Sequence, residues 1–422
     1  MKNSEQSEIR SREKAGSMKE NQNARILILA LFFLSGFAAL VYEVIWLRSL
    51  ATIFGSTTFA TTTILSSFMG GLALGSFIFG KVADRSRRPL VLYGILEIGI
   101  AVFALLFPLI IRSYDDLYIF LYQKTSLSFY VLSLARFAAC FMVLIIPTTL
   151  MGGTFPVISR YYIKRHSQLT SNVGILYSLN TFGAVTGVFL AGFFFIERFG
   201  ISTTSMIAVV VNLAVGVVAI ALKPHGSVEL ETGSPVVETK GNDGLSKSGK
   251  DKRAGKSKKK LSPKKGTGIE YSRRLIIIAA FLSGFAALAY EVIWTRTLIF
   301  ILDSFVYSFS IMLTTFLIGI SLGSLIISRT AHKIKDGYFL FFLLFILIGI
   351  MTSSSLLFFA KLTMWKESYQ AALSQNVTMG SPAPWGRYIL FKFMISFFIM
   401  ALPAIMMGAI FPLAIKLYSS NL

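Results

Sequence analysis

The chain is poor in the groups that most enzyme chemistry uses: of 422 residues, one is cysteine, three are histidine and twenty are acidic. Cys140 stands alone inside an apolar run, which excludes a disulfide framework or a thiolate metal site. His166, His225 and His332 all fall in polar connections, and no HExxH, GxSxG or P-loop spacing occurs. The sequence therefore offers no catalytic residues, no metal site and no cofactor cradle. Charge is also scarce, at 14% of residues, where a soluble domain carries ~25%. A mixed-charge stretch precedes the first apolar run, and that run is too long for a signal-peptide core, so no cleavable leader is expected.

What the chain has is apolar bulk: 54% hydrophobic residues, 38 of them phenylalanine, with a mean hydropathy of +0.68. The apolar residues fall in blocks near 26–50, 57–80, 89–111, 130–158, 173–196, 202–222, 275–299, 304–328, 338–360 and 388–415. Each is long enough to cross a hydrocarbon core of ~30 Å. The expectation is an all-α integral membrane protein of about ten transmembrane helices, in contact with the lipid bilayer. Residues 1–25 form a tail and 26–222 a six-helix region. Residues 223–274 form a Lys-, Gly- and Ser-rich disordered linker, and 275–422 a four-helix region.

The net charge of +21 is not a nucleic-acid signal, because it is concentrated in the tail, the linker and the helix ends. The basic connections alternate: Arg10 and Arg12 in the tail, Arg85 and Arg88 after block two, Lys164 and Arg165 after block four, the linker, and Arg329 and Lys333 after block eight. The positive-inside rule places both termini and the linker in the cytoplasm, with the chain in the plasma (inner) membrane.

An internal repeat organises the blocks. Residues 33–48 read FLSGFAALVYEVIWLR and 281–296 read FLSGFAALAYEVIWTR, so fourteen of sixteen positions agree at an offset of 248. The same offset aligns Gly71 to Ser76 with Gly319 to Ser324. An offset of 256 aligns Pro147 and Met151 to Pro156 with Pro403 and Met407 to Pro412. Both copies begin on the same side, which makes the repeat parallel. The first copy has six helices and the second four. The fifth and sixth helices of copy one, with the stretch from Tyr177 to Gly183, have no counterpart.

The SGFAAL-x-YEVIW-x-R segment, Gly153-Thr154-Phe155-Pro156 and the stretch YSLNTFGAVTGVFLAGF from Tyr177 resemble the membrane-embedded spermidine-synthase-like proteins. In that family a major-facilitator-like region precedes a polyamine aminopropyltransferase domain. The resemblance implies a facilitator-like membrane module that handles a small organic solute linked to polyamine metabolism. It also implies a partner: an aminopropyltransferase domain, encoded separately or missing, whose glycine-rich nucleotide turn this sequence lacks. The membrane part of such an enzyme, and a scaffold without transport, stay open beside transport. Gly80-Lys81-Val82-Ala83-Asp84-Arg85-Ser86-Arg87-Arg88 is similar to the loop between helices 2 and 3 of major facilitators, which makes Gly80, Asp84, Arg85 and Arg88 gating candidates. Arg87 departs from the glycine usual there, and an ordinary basic loop is the alternative.

Ionisable residues within apolar blocks each cost ~2.5–3.5 kcal/mol at a helix centre, which marks Glu43, Arg48, Glu97, Arg136, Glu291, Arg296 and Lys392. Glu43 is expected roughly 10 Å from the outer end of its helix, and Arg136, Glu291 and Lys392 at a similar depth. Two readings stand: a substrate or proton site, or ion pairs Glu43–Arg136 and Glu291–Lys392 fastening helices together. Arg48 and Arg296 are expected to snorkel. Tyr42, Trp46, Tyr290 and Trp294 are either aromatic walls for an organic cation or interfacial anchors. Glu97, which Phe345 replaces in the second copy, is a cavity acid or a residue near a helix end.

Overall fold

A computed structural model describes residues 2–54, 58–124, 129–162, 169–222, 267–302, 304–330, 333–374 and 383–419. The first 22 side chains and those of Arg136 and Lys392 lie outside the described residues. Ten α-helices account for nearly all of it: α1 Lys2–Phe54, α2 Thr58–Arg85, α3 Pro89–Lys124, α4 Phe129–Tyr162, α5 Leu169–Leu190, α6 Ile196–Ala221, α7 Thr267–Leu302, α8 Phe305–Thr330, α9 Gly337–Ser374 and α10 Ala383–Ser419. The basic linker expected over 223–274 falls outside the description up to 266, and 267–274 already belong to α7.

Apolar side chains line both the interior and the perimeter. Phe77, Leu357 and Phe398 project outward from three different helices, as lipid-facing residues do. The chain is an integral membrane protein. Residues 173–221 form one helical run of 49 residues, apolar but for Glu197 and Arg198, which at 1.5 Å per residue is ~74 Å, more than two bilayer cores. It crosses twice because Gly200 adopts φ +77° and ψ 172°, a conformation that side-chain-bearing residues resist. A π-turn over Ala191–Phe195 precedes that break.

The repeat is visible in the packing. α2 lies along α4, and α8 lies along α10 in the same way. A Cβ on Gly75 would strike the Thr149 backbone, and one on the equivalent Gly323 would strike Ile405. Gly152 and Gly408 return the contact against Leu72 and Ile320. The repeated glycines are thus where backbones cross most closely, the usual use of small residues between membrane helices.

α5, without counterpart, is wedged between the halves. One face meets α1: Asn180 donates to the Phe32 carbonyl at 3.0 Å, and Gly183 and Gly187 lie against the carbonyls of Phe33 and Phe37. The other face meets α8. There the Ser178 hydroxyl donates to the Ser321 carbonyl at 3.3 Å, and the Ser321 hydroxyl donates back to the Ser178 carbonyl at 3.0 Å.

Candidate functional site

Glu43 on α1 and Glu291 on α7 occupy the same position of the repeated segment, and both are buried. Their helices continue to Phe54 and Leu302, beyond the ends expected from hydropathy. Each residue therefore lies ~16 Å along the axis from the end of its helix, against ~10 Å from the end of its apolar block. The Oε1 atoms of both have no hydrogen-bond partner among the described residues.

The aromatic neighbours point inward. Tyr42 stacks on Trp46 with ring centroids 5.3 Å apart, and Trp46 stacks on Phe107 of α3 at 5.2 Å. In the second copy Tyr290 stacks on Trp294 at 5.8 Å. Tyr42, Trp46 and Trp294 are sealed inside the bundle and Tyr290 is half-buried. The Trp294 indole donates to Ser355 Oγ at 3.0 Å. The Tyr42 hydroxyl and the Trp46 indole nitrogen find no described partner.

Glu97 lies eight residues after the first residue of α3. It is fully buried, and Ser35 of α1 donates to its Oε1 at 2.5 Å. Tyr93, one turn earlier, sets its hydroxyl beside Ser35 and the carboxyl. The Tyr42 hydroxyl lies within electrostatic reach of Glu97. The first copy thus gathers Ser35, Tyr93 and Glu97 where α1 meets α3. The second copy has Phe341 and Phe345 where the first has Tyr93 and Glu97. Nothing in the sequence singles out Ser35, because it recurs as Ser283 and only its contact with α3 distinguishes it.

Arg136 and Lys392, expected opposite the acids, lie with their side chains outside the described residues. Arg296 does not snorkel freely: its Nε and Nη2 are buried without a described partner. Ser310, Thr314 and Thr315 on α8 add buried hydroxyls that also lack described partners. The loop candidates stand apart from this centre. α2 ends at Arg85, and Asp84, Arg85 and Arg88 are exposed, while a Cβ on Gly80 would meet nothing within 4 Å.

Chemically, the centre is an acceptor-rich cluster of carboxyls, hydroxyls and rings in a poorly hydrated place. Among the described residues no group of three His, Cys, Asp or Glu is arranged to hold a metal ion. A family model described as Major Facilitator Superfamily matches residues 27–421. No curated protein matches the chain.

Proposed function

Because the chain belongs to the Major Facilitator Superfamily, we propose that it carries a small organic cation of the polyamine class across the bilayer, at a site centred on Glu43 and Glu291. The burial of both carboxyls, at matched positions of the repeated segment, is the observation that carries the reading. Carboxylates buried within apolar helices are costly to ionise unless a positive charge lies beside them, and they otherwise take up a proton. A polyamine supplies ammonium groups on a flexible apolar chain, and the rings of Tyr42, Trp46, Tyr290 and Trp294 suit its methylenes and its charge. The likeness of the SGFAAL-x-YEVIW-x-R segments to spermidine-synthase-like membrane proteins supports the same solute class.

That likeness also supports a partner, an aminopropyltransferase domain supplied separately, to which the membrane module would hand its solute. In this reading the tail (1–25) and linker (223–274) face the cytoplasm of the plasma (inner) membrane. The Gly80, Asp84, Arg85 and Arg88 turn then lies on that face, where it gates the inner end of the path. Uptake of labelled putrescine or spermidine into proteoliposomes tests the proposal. Glu43→Gln and Glu291→Gln should each abolish uptake while the protein still purifies as a monodisperse species. If the unmodified chain neither binds nor moves either amine, the polyamine reading fails.

A further inference from the structure

Glu97 and its neighbours gather oxygen atoms without a positive charge to match. Ser35 of α1 donates its hydroxyl proton to Glu97 Oε1 at 2.5 Å. Tyr93 donates its own to the Leu31 carbonyl at 3.4 Å, with its hydroxyl beside Ser35 and the carboxyl. Glu97 Oε2 is buried and has no partner among the described residues. Two hydroxyl protons thus serve a carboxyl, two hydroxyl oxygens and a backbone carbonyl, and lone pairs are left over.

The helices packed on α3 bring no base to this level. They are α1, α4 and α6. Ser35 marks the level on α1, Leu150 of α4 lies against Gly99, and Gly216 of α6 lies against Gly94 and Ile98. From those contacts the nearest basic residues within the three helices are Arg25, Arg160 and Arg198, each at least ten residues along, or ~15 Å. The nearest acid on α1, Glu43, is eight residues on. The second copy fills the same place with carbon: Phe341 and Phe345 stand where the first has Tyr93 and Glu97, with ring centroids 5.1 Å apart. A buried charge is paired or binds a metal ion, and an orphaned buried oxygen calls for a ligand.

We infer that Glu97, Ser35, Tyr93 and the Leu31 carbonyl form a sodium site inside the first half. Its donors are all oxygen, which suits a hard cation. One carboxylate among neutral oxygens balances one positive charge, which favours a monovalent ion over a divalent one. Neither hydroxyl gives up its hydrogen bond, since each donates its proton and keeps a lone pair for the ion. The ion ties α1 to α3, because Leu31 and Ser35 come from one helix and Tyr93 and Glu97 from the other. The site stands whatever solute the protein carries.

The test uses the full chain in detergent, in mildly alkaline buffer at constant ionic strength, with sodium exchanged for potassium or choline. Sodium should raise the thermal midpoint saturably, and equilibrium dialysis with radioactive sodium should find one ion per chain. Glu97→Gln, which keeps the shape of the side chain, should abolish both effects. Ser35→Ala should weaken sodium binding about tenfold or more, and Ser283→Ala, the same change in the second copy, should leave it unaltered. Equal midpoints in all three salts together with no bound sodium overturn the inference. A midpoint that follows pH but not sodium also overturns it and assigns Glu97 a proton. Binding that survives Glu97→Gln and is lost in Glu43→Gln overturns it in favour of the repeated acids.

Discussion

Trp294 gives its indole N–H to Ser355 Oγ, whereas Trp46, its equivalent in the first copy, lies flat on Phe107. Ser355 and Phe107 are themselves 248 residues apart, so one pair of positions solves the same packing problem twice, once with a hydrogen bond and once with a ring. Ser355→Ala should therefore lower the thermal midpoint in detergent by an amount worth about 0.6–1.7 kcal/mol, the range for hydrogen bonds between membrane helices. Ser355→Phe, which imports the first copy's solution, should be recovered better when Trp294 is free to restack.

Glu43 and Glu291 allow the ion-pair reading to be measured directly. Glu43→Gln should lower thermal stability if Arg136 depends on it, because removing one partner strands a charge in a poorly solvated place. Adding Arg136→Gln should then restore part of the loss, and Glu291 with Lys392 should behave alike. Simple additivity in the double-mutant cycle would mean that the acids are not held by these bases and are available to a solute.

Gly75 and Gly80 lie five residues apart on α2 and should respond in opposite ways. Gly75→Leu drives a side chain into the Thr149 backbone and should abolish recovery of folded protein, since neither backbone can yield cheaply. Gly80→Leu meets open space and should leave the thermal midpoint within about 1 °C, because it adds no clash. Fluorescence-detected size exclusion and thermal unfolding read both.

Topology is open to labelling. Single cysteines at Ser248 and Ser374, in a Cys140→Ser background, should differ toward an impermeant thiol reagent on whole cells, Ser374→Cys reacting and Ser248→Cys not. The reverse pattern would invert the orientation read from the basic connections.

The ten helices were legible because each crossing needs some twenty apolar residues, and the break at Glu197–Gly200 showed as a charged gap within an otherwise continuous run. Helix ends were not. α3 runs on to Lys124 and α9 to Ser374, since a helix continues into polar sequence that hydropathy scores as loop. Glu43, Glu97 and Glu291 stood out as charges in apolar surroundings. Their relationships did not, for reasons of geometry: the repeat equates Glu43 with Glu291, but equivalence in sequence does not say what each helix packs against. The grip of Ser35 on Glu97 depends on which face α1 turns to α3. The absence of an acid at Phe345 was the one sequence signal that Glu97 belongs to a feature of the first copy alone.

The paired bonds of Ser178 and Ser321 constrain how the halves can move. Each hydroxyl reaches the other residue's own carbonyl, so the two contacts share one point along the seam. Sliding α5 past α8 by a helical turn, ~5.4 Å, would break both at once. With Gly174 against Ser328 and Gly192 against Ser310 on either side, the seam fixes the register of α5 on α8, and with it the axial position of one half against the other.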